Sequence, residues 1–376
     1  RASVEGRGTR RPLARSTVCA IIAHMEMVET FEQLGERIRQ ARLGRGLDQS
    51  ALARDCGLGR TQISRIESGE RRVSALELSR LARALELSLG DLLVLPAPDA
   101  RAARTPLEEH ATSVEKDRFE AQRELDALWR DACQLRDLDL LDPADWTCQT
   151  PQDEAQARDL AHRARRFLVD ARLLPDEQAP IGPVADTAAA FGLWTYVVDL
   201  EVEGLSLSPD PGFGVAVVGG RLEPGRRRMT AAHELGHHLS GDTYGEDGPQ
   251  GHGVRDRRER ERLTDVFAAE FLLPADAASA VVRKPDRDAM IVLAAWYRVS
   301  FSVVTTTLRQ HGARLTGTDL TSPSDSDFYA AGVERPAPDL KVGCVPTRWI
   351  QACVRAERQH MVSRARAQEM ARRPLQ

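Results

Sequence analysis

Lysine is almost missing from this chain. Of 52 basic residues only Lys116, Lys284 and Lys341 are lysine; the rest are arginine. A surplus of positive charge is missing too. The 56 acidic residues leave a formal net charge of −4, which excludes a global basic field, so any nucleic-acid surface must be local. Six cysteines (Cys19, Cys56, Cys133, Cys148, Cys344, Cys353) stand apart with no C-x-x-C pair. That argues against a disulfide framework or a cysteine zinc site, and for reduced thiols in a cytoplasmic protein. No apolar run reaches the ~18 residues that span a bilayer, and no membrane partner is expected. Residues 17–23 are weakly apolar behind arginines but carry no signal-peptide cleavage pattern. The first methionine is Met25, so residues 1–24 read as an upstream extension and 1–29 as disordered. What is present is enough for packed cores: 42% hydrophobic residues in 376, a length that favours two or more domains.

The rest of the chain is organised around Met229-Thr-Ala-Ala-His-Glu-Leu-Gly-His-His-Leu-Ser-Gly-Asp242. Inside it, His233-Glu234-Leu235-Gly236-His237 has the H-E-x-x-H spacing of zinc peptidases. Residues i and i+4 lie one above the other on a helix, so both imidazoles can reach one ion. Three protein ligands leave a fourth place for water, and Glu234 stands beside it as general base. The small or apolar residues Met229 to Ala232 bury this helix, where unsatisfied polar groups are expensive. A third ligand is sought on the later helix Glu261 to Pro274. Glu261 and Asp265 share one face at i, i+4, whereas Glu270 lies two and a half turns on from Glu261 on the opposite side, so Glu261 and Glu270 cannot both face the metal. The residues alone leave the choice open. His238, at i+5, falls off the ligand stripe and reads as structural; Asp242 and His252 lie near the site in sequence.

Upstream, Phe31, Leu34, Ile38 and Leu43 give helical spacing. Asp48 is a good N-cap, Gly57-Leu-Gly59 a tight turn, and Arg60 to Ser68 a short helix ended by glycine. Two short helices joined by a glycine turn make a helix-turn-helix. Over 31–95 eleven arginines face nine acids, a modest basic signal. The residues Leu47-Asp-Gln-Ser-Ala-Leu-Ala, Ile63-Ser-Arg-Ile-Glu-Ser-Gly-Glu-Arg and Leu78 to Leu85 resemble the XRE-type helix-turn-helix family, with Asp48 where that family more often has threonine or serine. The resemblance implies a recognition helix in the major groove that presents Arg60, Thr61, Gln62, Ser64 and Arg65 to DNA. It also implies Gln49 and Arg72, with Arg71 beside it, on the phosphates.

Residues 96–152 read as a proline-bearing linker with a connecting helix over 115–135, which either joins domains, pairs with a second subunit or lies on the next domain. Helices over 154–174 and 183–191, strands over 194–200 and 212–220, and the motif helix, with Thr230 as a candidate cap, make an α+β order. Residues 287–311 read as a closing helix pair, and 313–376 as a loop and a basic helical appendage. The stretch 154–310 resembles the ImmA/IrrE metallopeptidase family through Arg228 to Asp242 and Phe267-Ala-Ala-Glu-Phe-Leu-Leu-Pro274. That resemblance implies zinc on His233 and His237, Glu234 as catalytic base and Glu261 as third ligand. Asp265 stands where many members have asparagine and is expected to partner a histidine.

The expected fold class is multidomain: an all-α helix-turn-helix bundle over 30–95, and an α+β zincin-like metallopeptidase domain over 153–312 with a small helical C-terminal appendage. The expected function is a DNA-binding transcription regulator whose zinc endopeptidase cleaves a repressor protein and relieves repression. Two alternatives stay open: a regulator whose peptidase fold serves as sensor or dimerisation module, and an antitoxin-like regulator of a neighbouring gene. The expected partners are operator double-stranded DNA and a repressor protein as substrate, with a homodimer as an open option.

Overall fold

The computed structural model describes residues 27–94, 107–108, 111–241 and 254–375. Residues 1–26, 95–106 and 109–110 lie outside them, as do Asp242 and His252. Of the stretch 1–29 expected to be disordered, residues 27–29 are described, and the Val28 amide donates to the Leu93 carbonyl at 2.8 Å. The first five helices among the described residues are α1 Phe31–Gly44, α2 Gln49–Cys56, α3 Arg60–Glu67, α4 Ala75–Ala84 and α5 Leu89–Leu93. Local chemistry sets their ends. Asp48 accepts from the Ala51 amide at 2.7 Å, and Gly57 closes α2 in the left-handed region at φ 65°. Their apolar faces meet in one core of Leu34, Ile38, Leu52, Ile63, Ile66, Leu81, Leu85 and Leu92. Inside it Arg42 and Glu67, both buried, form a bidentate pair at 2.7 and 3.1 Å. Burying two charges is tolerable here because each satisfies the other.

The second half is built on a three-stranded sheet of order β1-β3-β2: β1 Leu193–Val198, β2 Gly204–Asp210 and β3 Phe213–Gly219. β1 runs parallel to β3, and β2 runs antiparallel to it at the edge. Side chains alternate between two faces. Leu193, Val197, Ala216 and Val218 meet a layer containing α7 Glu154–Asp170, α8 Val184–Ala190, α9 Pro224–Ser240 and α10 Val254–Leu272. The same layer continues through α11 Ala275–Arg283, α12 Arg287–Tyr297, α13 Phe301–Gln310 and α14 Asp325–Ala330. Trp194, Val198, Leu207, Phe213, Val215 and Val217 face the other way, onto α6 Ser113–Asp137, α15 Thr347–Arg358 and α16 Arg364–Ala371.

That second layer comes from residues on both sides of the 153–312 stretch expected to form the metallopeptidase domain. The helix assigned to the linker buries Ala121, Leu125, Leu128, Ala132 and Leu135 against the sheet. The C-terminal helices cover the same face through Trp349, Cys353 and Met370. Asp131 of α6, 4% exposed, accepts from Arg366 at 2.5 Å and Arg372 at 2.6 Å of the C-terminal helices. A sheet with two apolar faces needs two covers, and residues far apart in sequence supply the second. Strand β2 was not expected, because Gly204-Leu-Ser-Leu-Ser-Pro-Asp210 has no β-branched residue; its signal is the alternation of leucine and serine. Among the described residues no single helix is long and apolar enough to cross a membrane; α12 and α13 pass together only as a pair bent by 112°.

Candidate metal centre and nucleic-acid interface

Helix α9 begins six residues before Thr230, with Pro224 in its first turn and Gly241 closing it at φ 70°. Thr230 is therefore a buried interior residue and not a cap. Pro224 fits at the start because the amide it lacks would be unpaired there anyway. On one face of this helix lie His233 and His237, and α10 crosses that face closely. Gly236 makes the approach feasible: a Cβ there would fall 2.7 Å from the Phe267 ring and 2.8 Å from Thr264 Cγ2.

The crossing brings Glu261 to the histidines. His233 Nε2 and His237 Nε2 are 3.0 Å apart, and Glu261 Oε2 lies 3.1 Å from the first and 3.6 Å from the second. These atoms form the one group of three histidine, cysteine or acidic residues among the described residues whose ligand atoms all lie within 4.8 Å. Asp265 Oδ1 sits 2.8 Å from His233 Nδ1, one turn along α10 from Glu261. This contact fixes the ring so that Nε2 turns toward the other two ligand atoms. The field is strongly negative. Burial pushes the His233 imidazole down, but Asp265 and Glu261 outweigh it and hold its pKa up at about 10. The two histidines hold the Glu261 carboxyl far below its usual range. Two imidazole nitrogens and one carboxylate oxygen at such separations match the donor set and tetrahedral reach of zinc, whose positive charge would replace that proton. Glu270 lies away from this group: it is buried and accepts from the Ala275 amide at 2.9 Å at the start of α11.

Glu234 lies on the adjoining stripe of α9, 3% exposed, and faces strand β2. Ser206, unforeseen in the sequence, donates its hydroxyl to Glu234 Oε2 at 2.6 Å. His238 is also buried. Its Nε2 donates to the Phe191 carbonyl at 2.8 Å and its Nδ1 accepts from Ser208 at 2.8 Å. Burial pushes its pKa down to about 4, against the smaller opposing pull of the Phe191 carbonyl. A neutral ring with both nitrogens engaged is a packing residue.

In the N-terminal bundle, α3 buries Ile63 and Ile66 and exposes Arg60, Thr61, Gln62, Ser64 and Arg65. These five form a continuous polar face. Two residues differ from expectation. Gln49 directs its amide nitrogen to Glu67 Oε2 at 2.9 Å rather than outward, because the buried carboxylate has an acceptor site left after Arg42. Arg71 is taken up by Glu77 at 2.7 Å, whereas Arg72 is exposed. Gln62 keeps its amide nitrogen available but commits its oxygen to the Gly59 amide at 2.8 Å.

Residues 38–92 match the helix-turn-helix family model, and residues 188–309 match the model for the IrrE N-terminal-like domain. The chain joins a helix-turn-helix domain to an IrrE-like peptidase domain. Control protein C.BamHI of Bacillus amyloliquefaciens is 42% identical over 60 residues, which are 16% of this chain and 74% of that protein. The helix-turn-helix match covers α2, α3 and α4, and so contains the exposed face of α3. The IrrE-like match runs from α8 to α13 and contains the histidine pair, Glu234, Glu261 and strand β2. The molecule is thus a DNA-binding helix-turn-helix regulator fused to a metallopeptidase-like domain.

Proposed function

We propose that the chain is a transcription regulator that binds operator double-stranded DNA through α3 and hydrolyses a repressor protein with a zinc site on α9 and α10. The observation that carries this reading is the triangle of His233, His237 and Glu261 with the buried carboxylate of Glu234 on the next stripe of the same helix. His233, His237 and Glu261 would hold zinc, and Asp265 would orient His233. The ion supplies Lewis acidity toward a water molecule and a peptide carbonyl. Glu234 takes the proton of the attacking water and passes it to the leaving amine. On DNA, Arg60, Thr61, Gln62, Ser64 and Arg65 read base edges, and Arg72 holds a phosphate. Gln49 reaches a phosphate only by leaving Glu67, so its contribution is secondary.

The test is Glu234→Gln. The amide keeps the side-chain shape and the Ser206 contact but cannot accept a proton. Zinc content and operator binding should match the wild type, while repressor cleavage falls by about 10²–10⁴. In cells the target promoter should stay repressed with uncut repressor on a blot. Normal induction by a zinc-replete Glu234→Gln strain would favour the second reading, in which the peptidase fold acts as a sensor. That reading draws on the direct docking of the DNA-binding bundle onto α6, where Arg130 pairs with Asp91.

A further inference from the structure

Strand β2 lies along α9 with matched spacing. Alternate residues of a strand are ~6.6 Å apart, and residues four apart on a helix rise ~6 Å. Gly204, Ser206 and Ser208 therefore meet Thr230, Glu234 and His238 in step. A Cβ on Gly204 would fall 2.7 Å from Thr230 Cγ2 and 2.4 Å from Glu234 Oε1; Ser206 donates to Glu234 Oε2, and Ser208 to His238. The carboxylate of Glu234 thus has one oxygen tied to a buried hydroxyl and the other lying over a Cα that carries no side chain. The last torsion of a glutamate is broad and roughly two-fold, so an untied carboxylate samples many directions.

We propose that β2 is the seat of the catalytic base. Ser206 is a positioning residue that fixes the plane of the Glu234 carboxylate, and Gly204 leaves the room that this plane needs. The proposal rests on the peptidase reading above and adds to it a residue from a strand outside the H-E-x-x-H motif. Ser206 is 7% exposed and Glu234 3%, so solvent has little access to replace the hydroxyl. Without Ser206 the carboxylate keeps its place on the helix but loses the contact that aims it.

Acetohydroxamic acid tests the aim without any protein substrate. It chelates a divalent ion, and its hydroxyl proton goes to a carboxylate beside that ion, so its affinity reads where the carboxylate points. The full chain is loaded with cobalt(II) and titrated with acetohydroxamic acid, with visible absorption as the signal. Ser206→Ala should keep its cobalt and melting temperature but bind the hydroxamate about tenfold more weakly. Ser206→Thr, which retains the hydroxyl, should restore binding to within about twofold. Gly204→Ala, with its new methyl crowding Oε1, should weaken binding in the same direction. Ser206→Ala added to Glu234→Gln should cost nothing further, because Ser206 acts only through Glu234. Equal hydroxamate affinity in wild type and Ser206→Ala would overturn the proposal while leaving the peptidase reading intact. So would a full additional loss in the double variant. A wild-type chain that takes up no cobalt overturns the metal-site reading, and the proposal with it.

Discussion

The metal ligands are a residue-scale question, and they divide by how far apart they stand in sequence. His233, Glu234 and His237 are legible because helix periodicity alone puts i and i+4 together. Glu261 is not, since its side chain meets His233 across 28 residues and only the crossing of α9 and α10 brings them together. By face the acids on α10 divide into Glu261 with Asp265 on one side and Glu270 on the other, and the fold places the first two at His233, on opposite ring nitrogens. The two are separable by experiment. Glu261→Ala should lose bound zinc on elemental analysis after dialysis. Asp265→Ala should retain zinc but lose about 10–100-fold in affinity, measured by competition with a chromophoric chelator. The reverse pattern, with Glu261→Ala zinc-replete and Asp265→Ala empty, would move the third ligand to Asp265. Ser206 was invisible for a different reason. A serine in a short strand has many uses, and only the register of β2 against α9 singles it out.

At the scale of elements, the helices of the DNA-binding bundle were readable from capping residues and glycine turns, which act over three or four residues. So was the division of α3 into an inner face, Ile63 and Ile66, and an outer one. What escaped was which outer polar groups the fold keeps for itself. Gln49 and Arg71 are tied to Glu67 and Glu77, and burial of Glu67 behind Arg42 could not be seen before the bundle closed. Arg60 and Arg72 are exposed and make the cleaner probes. Arg60→Ala should weaken operator binding by about 1–3 kcal/mol and relax discrimination among operator variants. Arg72→Ala should weaken binding to all sequences alike and lower the salt slope by about one unit. Gel shifts across a salt series distinguish the two. Loss of discrimination in Arg72→Ala, with none in Arg60→Ala, would reverse the roles of the helix and the loop that follows it.

For the whole molecule, the sequence left open whether the connecting helix joins the domains, pairs with a second subunit or lies on the next domain; in the fold it packs on the sheet and also meets the bundle. α6 covers the sheet with one face and receives the bundle with another. Arg130 of α6 pairs with Asp91 of α5. Arg37 of α1 holds the Asp91 and Leu92 carbonyls, and the Gln40 side chain holds both backbone groups of Leu107. Gly44 at the end of α1 lies against the Phe119 ring. Two halves sharing a helix in this way should unfold together. Asp91 is the group that pH can reach. Burial pushes its carboxyl up, but Arg130 and the Ser88 amide and hydroxyl more than offset that and leave it below its ordinary value of 3.8. A depressed carboxyl contributes stability above that ordinary value and loses it as pH falls through the folded value. Scanning calorimetry should therefore give one transition for the wild type at pH 7. Acidification below that ordinary value, through the lower folded one, should loosen the junction and separate an earlier melting of the bundle. Asp91→Asn should cost about 2 kcal/mol at pH 7, show the early transition there, and lose this part of the acid dependence. Two independent transitions already present in the wild type at pH 7, unmoved by Asp91→Asn, would mean that the bundle and the peptidase domain are mechanically separate. A signal sensed at one end would then have no path through α6 to the other.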